Sequence, residues 1–264
     1  MTLNLPAMKN TRISNPPECL APLVIYGINP LLERIRQGGQ GISEIIVAAG
    51  RKGAAVDNIL SWASVKGIPI ACKDKSYLDH VSGDGAHQGI AALCAAYAYV
   101  NIDALIANST QANLILMLDG ITDPHNLGAL IRTAHCLGAK GVIIPEDRAA
   151  AITATVIKAS AGAAYWLPVT REVNLARTID YLKEKGFWIY GADADQGMDV
   201  NQFADAGPVC LVMGSEGSGI RPLVRKKCDF LLSIPMAGNL HSLNVSVAAG
   251  IIMNEIARKQ GRKN

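Results

Sequence analysis

Five almost uninterrupted apolar runs in the second half of the chain limit its fold more than any other feature. They are Leu114-Ile-Leu-Met-Leu118, Gly141-Val-Ile-Ile-Pro145, Trp188-Ile-Tyr-Gly191, Val209-Cys-Leu-Val-Met213 and Phe230-Leu-Leu-Ser-Ile234. A strand with one wet face alternates polar and apolar residues. Runs this uniformly apolar need cover on both faces, which is the condition of a parallel sheet between helices. Stretches with helical character fall between them, at 126–137, 151–159, 175–185 and 242–259. Strand and helix in alternation predict an α/β fold with a parallel sheet.

The first half predicts a smaller α/β unit. Residues 24–27, 44–48, 68–72 and 89–94 have the character of short buried strands. Residues 29–36 form a helix with Pro30 in its first turn, and 57–66 a second one ended by Gly67. The expected division is a loosely docked, proline-bearing tail over 1–22, a small domain over 23–99, a partly helical linker over 100–112 and a larger domain over 113–264.

Half of the 264 residues are hydrophobic and 18% are charged, as in a packed globular chain. Aromatics are 5%, too few for a platform that stacks successive bases of a single strand. The formal charge of +3 permits RNA binding without demanding it. The six cysteines form no C-x-x-C pair, so no metal site is expected. They read as buried free thiols of a reducing, cytoplasmic compartment. The N-terminus lacks a basic start followed by an apolar run, and no run of about 18 apolar residues occurs. Neither a secretory signal nor a membrane span is expected.

Open parallel sheets bind ligands beyond the carboxyl ends of their strands. Three such ends carry unusual loops: Asp119-Gly-Ile-Thr-Asp-Pro-His-Asn126-Leu-Gly128 through Arg132, Gly214-Ser-Glu216-Gly217-Ser-Gly219, and the segment from Ile234 into Ser242-Leu-Asn244. Neither a G-x-G-x-x-G dinucleotide fingerprint nor a Walker phosphate loop is present. The glycines are equally explained as turn residues with φ > 0, and Ser242 and Asn244 as caps of the last helix. Glu216 is different: a carboxylate between glycines at a buried strand end needs a partner, and Arg132 or Arg221 is the expected one.

Taken together, Asn126-x-Gly128-x-x-x-Arg132, Gly214-Ser-Glu216-Gly217-x-Gly219 and Ile234-Pro-Met-x-Gly-x-x-x-Ser242-Leu-Asn244-Val-Ser-Val-Ala resemble the three ordered motifs of the SpoU family. These are RNA 2′-O-ribose methyltransferases of the SPOUT superfamily. The resemblance implies a catalytic domain closed by a deep trefoil knot, which the apolar pattern alone does not reveal. It also implies a small N-terminal domain similar to ribosomal protein L30, carried by Gly27-Ile-Asn-Pro-Leu and His87-Gln88-Gly89-Ile. The family's cofactor is S-adenosylmethionine, with no metal. Carried over by motif, Asn126, Arg132, Glu216, Ser242 and Asn244 are the catalytic positions, and Gly214, Ile234 and Leu243 the cofactor contacts.

The branch most resembled methylates a guanosine ribose in 23S ribosomal RNA, works as a homodimer with shared sites, and has ribosomal RNA as its partner. A transfer-RNA substrate and a catalytically silent RNA-binding protein are the alternatives. A guanidinium keeps its proton near neutral pH, so Arg132 is expected to bind phosphate or steady an alkoxide, with Glu216 orienting it. His125 and His241 stand beside the motifs as secondary candidates for proton acceptance, and His87 as a structural or RNA-contacting residue. Arg51, Lys52, Arg221, Arg225, Lys226 and Lys227 are candidate phosphate contacts, with a solvated surface charge the preferred reading of each. Arg258 to Lys263 place cations at a helix end, which suits them without RNA.

Overall fold

The structure is a computed structural model and describes residues 22–83, 85–108, 113–204, 207–238 and 242–261. His241, most of the tail, the end of the linker and residues 262–264 lie outside them.

The N-terminal unit holds β1 (Leu23–Tyr26), α1 (Ile28–Arg36), β2 (Ile42–Ala48), α2 (Ala54–Val65), β3 (Ile70–Lys73), α3 (Lys75–Val81) and β4 (Ile90–Cys94). Its sheet has the order β1-β4-β2-β3, with β4 antiparallel to both neighbours and β2 parallel to β3. Next comes α4 (Ile102–Ala107), within the expected linker. It is no loose connector, because Leu105 is fully buried against the second core.

The C-terminal unit runs β5 (Leu114–Asp119), α5 (Pro124–Cys136), β6 (Gly141–Pro145), α6 (Ala154–Ala159), β7 (Val169–Glu172), α7 (Leu175–Glu184), β8 (Trp188–Ala192), β9 (Met198–Asp199), β10 (Val209–Gly214), α8 (Pro222–Lys227), β11 (Phe230–Ser233) and α9 (Val245–Lys259). Its seven strands lie in the order β7-β6-β5-β10-β8-β11-β9, and every pairing is parallel. β5, β6 and most of β10 are buried along their length, as the apolar runs predict. β10 inserts between β5 and β8, so strand ends far apart in sequence become neighbours.

Helix starts differ from expectation at α2 (54, not 57), α5, α6 (154, not 151) and α9, and in the last three a capping side chain sets the start, Thr153 for α6. α5 begins at Pro124 because Asp123 caps it, accepting from the N–H of His125 and Asn126. α9 begins at Val245, not at 242, because Asn244 Oδ1 accepts from Ser246 N–H at 2.9 Å. The cysteines also differ: Cys94 and Cys210 are buried, but Cys72 and Cys136 are exposed. Both sit near element ends, where a short apolar segment leaves the core.

One continuous apolar cluster joins Ile25, Leu31 and Ile45 of the first unit to Leu116, Leu130 and Ile157 of the second. The seam is fixed by directional bonds as well. Tyr97 donates to Ala164 O at 2.8 Å, Tyr99 accepts from Ile152 N–H at 2.8 Å, and Trp166 donates to Glu33 at 2.9 Å.

Candidate active site

Glu216 is the centre of the site. It lies in the loop after β10, which closes on itself through Ser215 N–H to Gly219 O and Gly219 N–H to Ser215 O. Gly219 has the left-handed φ of +64 that the turn requires, whereas Gly214 and Gly217 have no positive φ. Gly214 lacks a side chain because there is no space for one. A Cβ there would lie 2.0 Å from Gly219 C and 2.2 Å from Ile220 N, so it is the loop's own backbone that passes over this residue.

The Glu216 carboxylate is held by two amides rather than by an arginine. Asn244 Nδ2 donates to its Oε1 at 2.7 Å and Asn126 Nδ2 at 3.2 Å, while Val245 N–H lies 3.5 Å away. Asn244 Nδ2 also donates to Asn126 Oδ1 at 3.0 Å. The orientation of Asn244 follows from its cap. Its oxygen must face the N–H and hydroxyl of Ser246, so its nitrogen must face the carboxylate. Capping and site-building are therefore two ends of one side chain. Asn126 stands in the first turn of α5 and Asn244 at the start of α9, so two helix N-termini, the ends that favour negative charge, meet at Glu216.

Neither arginine expected as a partner of Glu216 bonds to it. Arg221 donates its backbone N–H and Nε to Asp119, at 2.8 and 2.6 Å. Asp119 is fully buried at the end of β5 and anchors the β10 loop from below. Arg132 is exposed, with no hydrogen bond or ion pair to any described residue. His125 is exposed and contributes its backbone N–H to the cap.

Beside Glu216 opens a cavity of about 440 Å³, a normal size for a small-molecule site. Gly214, Glu216, Ile234, Ser242 and Leu243, all singled out from the sequence, line it. Met213, Val245, Ala248 and Ile252 add apolar wall. Ser242 faces this cavity and stands apart from the Asn126–Glu216–Asn244 cluster; Ser246 makes the bond to Asn244 instead. Asp193 and Asp195, after β8, also line it and were not found from sequence. Treating the end of β8 as a fourth ligand-facing strand end would have found them. Burial pushes the Asp193 carboxyl up, but bonds from Arg225 and from the N–H groups of Gln196 and Asp195 outweigh it, leaving its pKa below the usual carboxylate range. Arg225 is thereby committed to Asp193 at 2.8 Å, and Lys227 to Asp180. These two cations, like Arg221, are paired within the protein.

Residues 113–254 match the model of the SpoU rRNA Methylase family. The chain belongs to this family. Residues 24–100 match a second model, described as RNA 2′-O ribose methyltransferase substrate binding. A protein of Staphylococcus haemolyticus named "Putative TrmH family tRNA/rRNA methyltransferase" is 43% identical over 241 residues, 90% of this chain and 96% of that one. The SpoU methyltransferase AviRb from Streptomyces viridochromogenes, solved in complex with AdoMet, shares the fold with a TM-score of 0.76 at 23% identity, covering 90% of each chain. The A. aeolicus TrmH/SpoU tRNA modifying enzyme matches with a TM-score of 0.52 at 28% identity, covering 59% of this chain and 79% of its own. Among the described residues no helix is long and apolar enough to cross a membrane, and no group of three metal-binding side chains occurs.

Proposed function

We propose that this SpoU-family chain transfers a methyl group from S-adenosylmethionine to the ribose 2′-hydroxyl of a guanosine in 23S ribosomal RNA. The observation that carries the reading is the Asn126–Glu216–Asn244 cluster at the rim of the cavity. The cavity suits the cofactor: Ile234 and Leu243 offer apolar walls to an adenine, and Asp193 and Asp195 offer acceptors to hydroxyl or ammonium groups. When bound, S-adenosylmethionine supplies an electrophilic methyl and leaves as S-adenosylhomocysteine.

The protein's work is then positioning and the handling of one proton. Ile234 and Leu243 would hold the cofactor, which would supply the methyl to the ribose oxygen, and the hydroxyl proton would pass to solvent water. Glu216, Asn126 and Asn244 hold the ribose at the cavity rim, and Ser242 faces it from the cavity wall. Arg132, exposed and unpaired two turns along α5, binds the neighbouring phosphate or steadies the developing alkoxide. The knot and the homodimer are part of the same proposal. Val247 and Ile251, one turn apart on α9 and 51% and 40% exposed, support a second copy docking there.

A transfer-RNA substrate is the second reading, favoured by the paired tRNA/rRNA name of the relative. The family matched over residues 113–254 is described as an rRNA methylase, which favours ribosomal RNA. Methyl-labelled cofactor incubated with separate transcripts of 23S rRNA and tRNA decides between them. A 2′-O-methyl blocks alkaline cleavage of the next phosphodiester, so label should appear in an alkali-resistant dinucleotide from 23S rRNA. Label confined to tRNA, or to a base, would overturn the reading.

A further inference from the structure

Two cations, one from each unit of the protein, converge on Gln88, and neither meets a carboxylate among the described residues. Lys158, on α6, donates from Nζ to Gln88 Oε1 at 3.2 Å. Arg51, in the loop after β2, donates from Nε to Gln88 O at 2.9 Å and from a terminal nitrogen to Lys52 O at 2.9 Å. All of these acceptors are neutral. Burial alone holds the half-buried Lys158 ammonium below its usual pKa. A partly buried charge without a counter-charge is costly unless a ligand provides one.

The surroundings are shaped for these two side chains. A Cβ on Gly27 would lie 2.2 Å from Lys158 Nζ, and one on Gly89 would lie 2.8 Å from Arg51 Cδ. Gln88 itself holds φ +56, a conformation that costs energy for a residue with a side chain. His87 fixes that turn: its Nδ1 accepts from Gly89 N–H at 3.0 Å and its Nε2 meets Asp79 at 2.8 Å. Gln88 Oε1 also accepts from Ile28 N–H at the start of α1. The conformation is thus over-determined, and its product is a pair of cations presented across the seam. Arg221, Arg225 and Lys227, by contrast, are neutralised by Asp119, Asp193 and Asp180.

We propose that Arg51 and Lys158 together grip one phosphate of the RNA backbone, tying the N-terminal unit to the catalytic unit along a single strand of substrate. The proposal rests on the RNA-methylating reading above. It gives the Gly27 and His87-Gln88-Gly89 segments a task, building a two-sided phosphate clamp at the seam.

The test uses the full chain and a 23S rRNA transcript, with binding measured over a series of salt concentrations. Arg51→Gln and Lys158→Gln should each weaken binding by about fivefold at moderate salt. The double variant should lower the slope of log K against log salt by about 0.7–0.9, the value of one phosphate. The loss should fall in KM for RNA, with the melting temperature and the S-adenosylmethionine affinity of the wild type. An unchanged slope, a slope lowered by twice that amount, or loss of cofactor binding together with stability would overturn the clamp. Failure of the functional reading looks different: the wild type itself would then leave no 2′-O-methyl on RNA.

Discussion

Replacing Gly214 with alanine probes the architecture of the site at a single atom. The added Cβ would lie 2.0–2.3 Å from three backbone atoms of Gly219 and Ile220, where ordinary contact begins near 3.4 Å. Backbone cannot rotate away as a flexible side chain can, so the loop must retreat by more than 1 Å, roughly, or the strand end must shift. Overpacking of this kind costs about 1–3 kcal/mol. Glu216 sits two residues along the same loop, and its bonds of 2.7 and 3.2 Å do not survive such a displacement. The expected result is a melting temperature lowered by about 2–10 °C, or an S-adenosylmethionine affinity weakened about 5- to 150-fold by calorimetry, depending on where the strain is placed. Gly217→Ala is the internal control, since a Cβ there meets nothing within 4 Å. Equal behaviour of the two variants, both like the wild type, would refute the argument that Gly214 exists for the passage of its own loop.

Arg132→Ala should bind S-adenosylmethionine normally by calorimetry yet lose methyl transfer by about 10²-fold or more, because the side chain touches no part of the cavity; normal cofactor binding with full transfer would remove Arg132 from the chemistry. Glu216→Gln keeps the shape but sets an amide against two amides, and should slow transfer by about 10-fold or more, through a loss of about 1–3 kcal/mol, without unfolding the chain. Arg221→Ala strands the buried Asp119 carboxylate and should cost about 2–3 kcal/mol in chemical denaturation, less than a fully buried pair because Arg221 is half exposed. The lowered pKa of Asp193 gives stability that is present above the unfolded carboxylate value of 3.8 and is lost as pH falls through the lower folded value. The melting-temperature gap between the wild type and Asp193→Asn should therefore close in acid; a constant gap down to about pH 2 would contradict the assignment.

The sheet was legible because both-face burial leaves a pattern in the sequence. β5, β6, β8, β10 and β11 all carry such apolar runs, although Trp188 of β8 and Phe230 of β11 are exposed, and the ends of β8, β10 and β11 line the cavity. β7 and β9 do not, because an edge strand carrying Thr170, Arg171 and Glu172 needs cover on fewer sides. The glycines and polar residues of the three loops were visible too, as was the need of Glu216 for a partner. The identity of that partner was not. Electrostatic intuition selects arginine, whereas the fold brings together two asparagines at helix starts, 90 residues before Glu216 and 28 after it. Strand insertion creates that meeting, and no local pattern encodes it. Asp193 differs, since it stands just past the carboxyl end of β8, a strand that the apolar pattern already marks.

The central claim is that this chain methylates a guanosine ribose in the large-subunit ribosomal RNA. Mapping 2′-O-methyl positions across that RNA, from cells with and without the gene, tests it most directly. The account predicts that one 2′-O-methylguanosine disappears with the gene and returns with the wild-type chain, but not with Glu216→Gln. An unchanged map would contradict it.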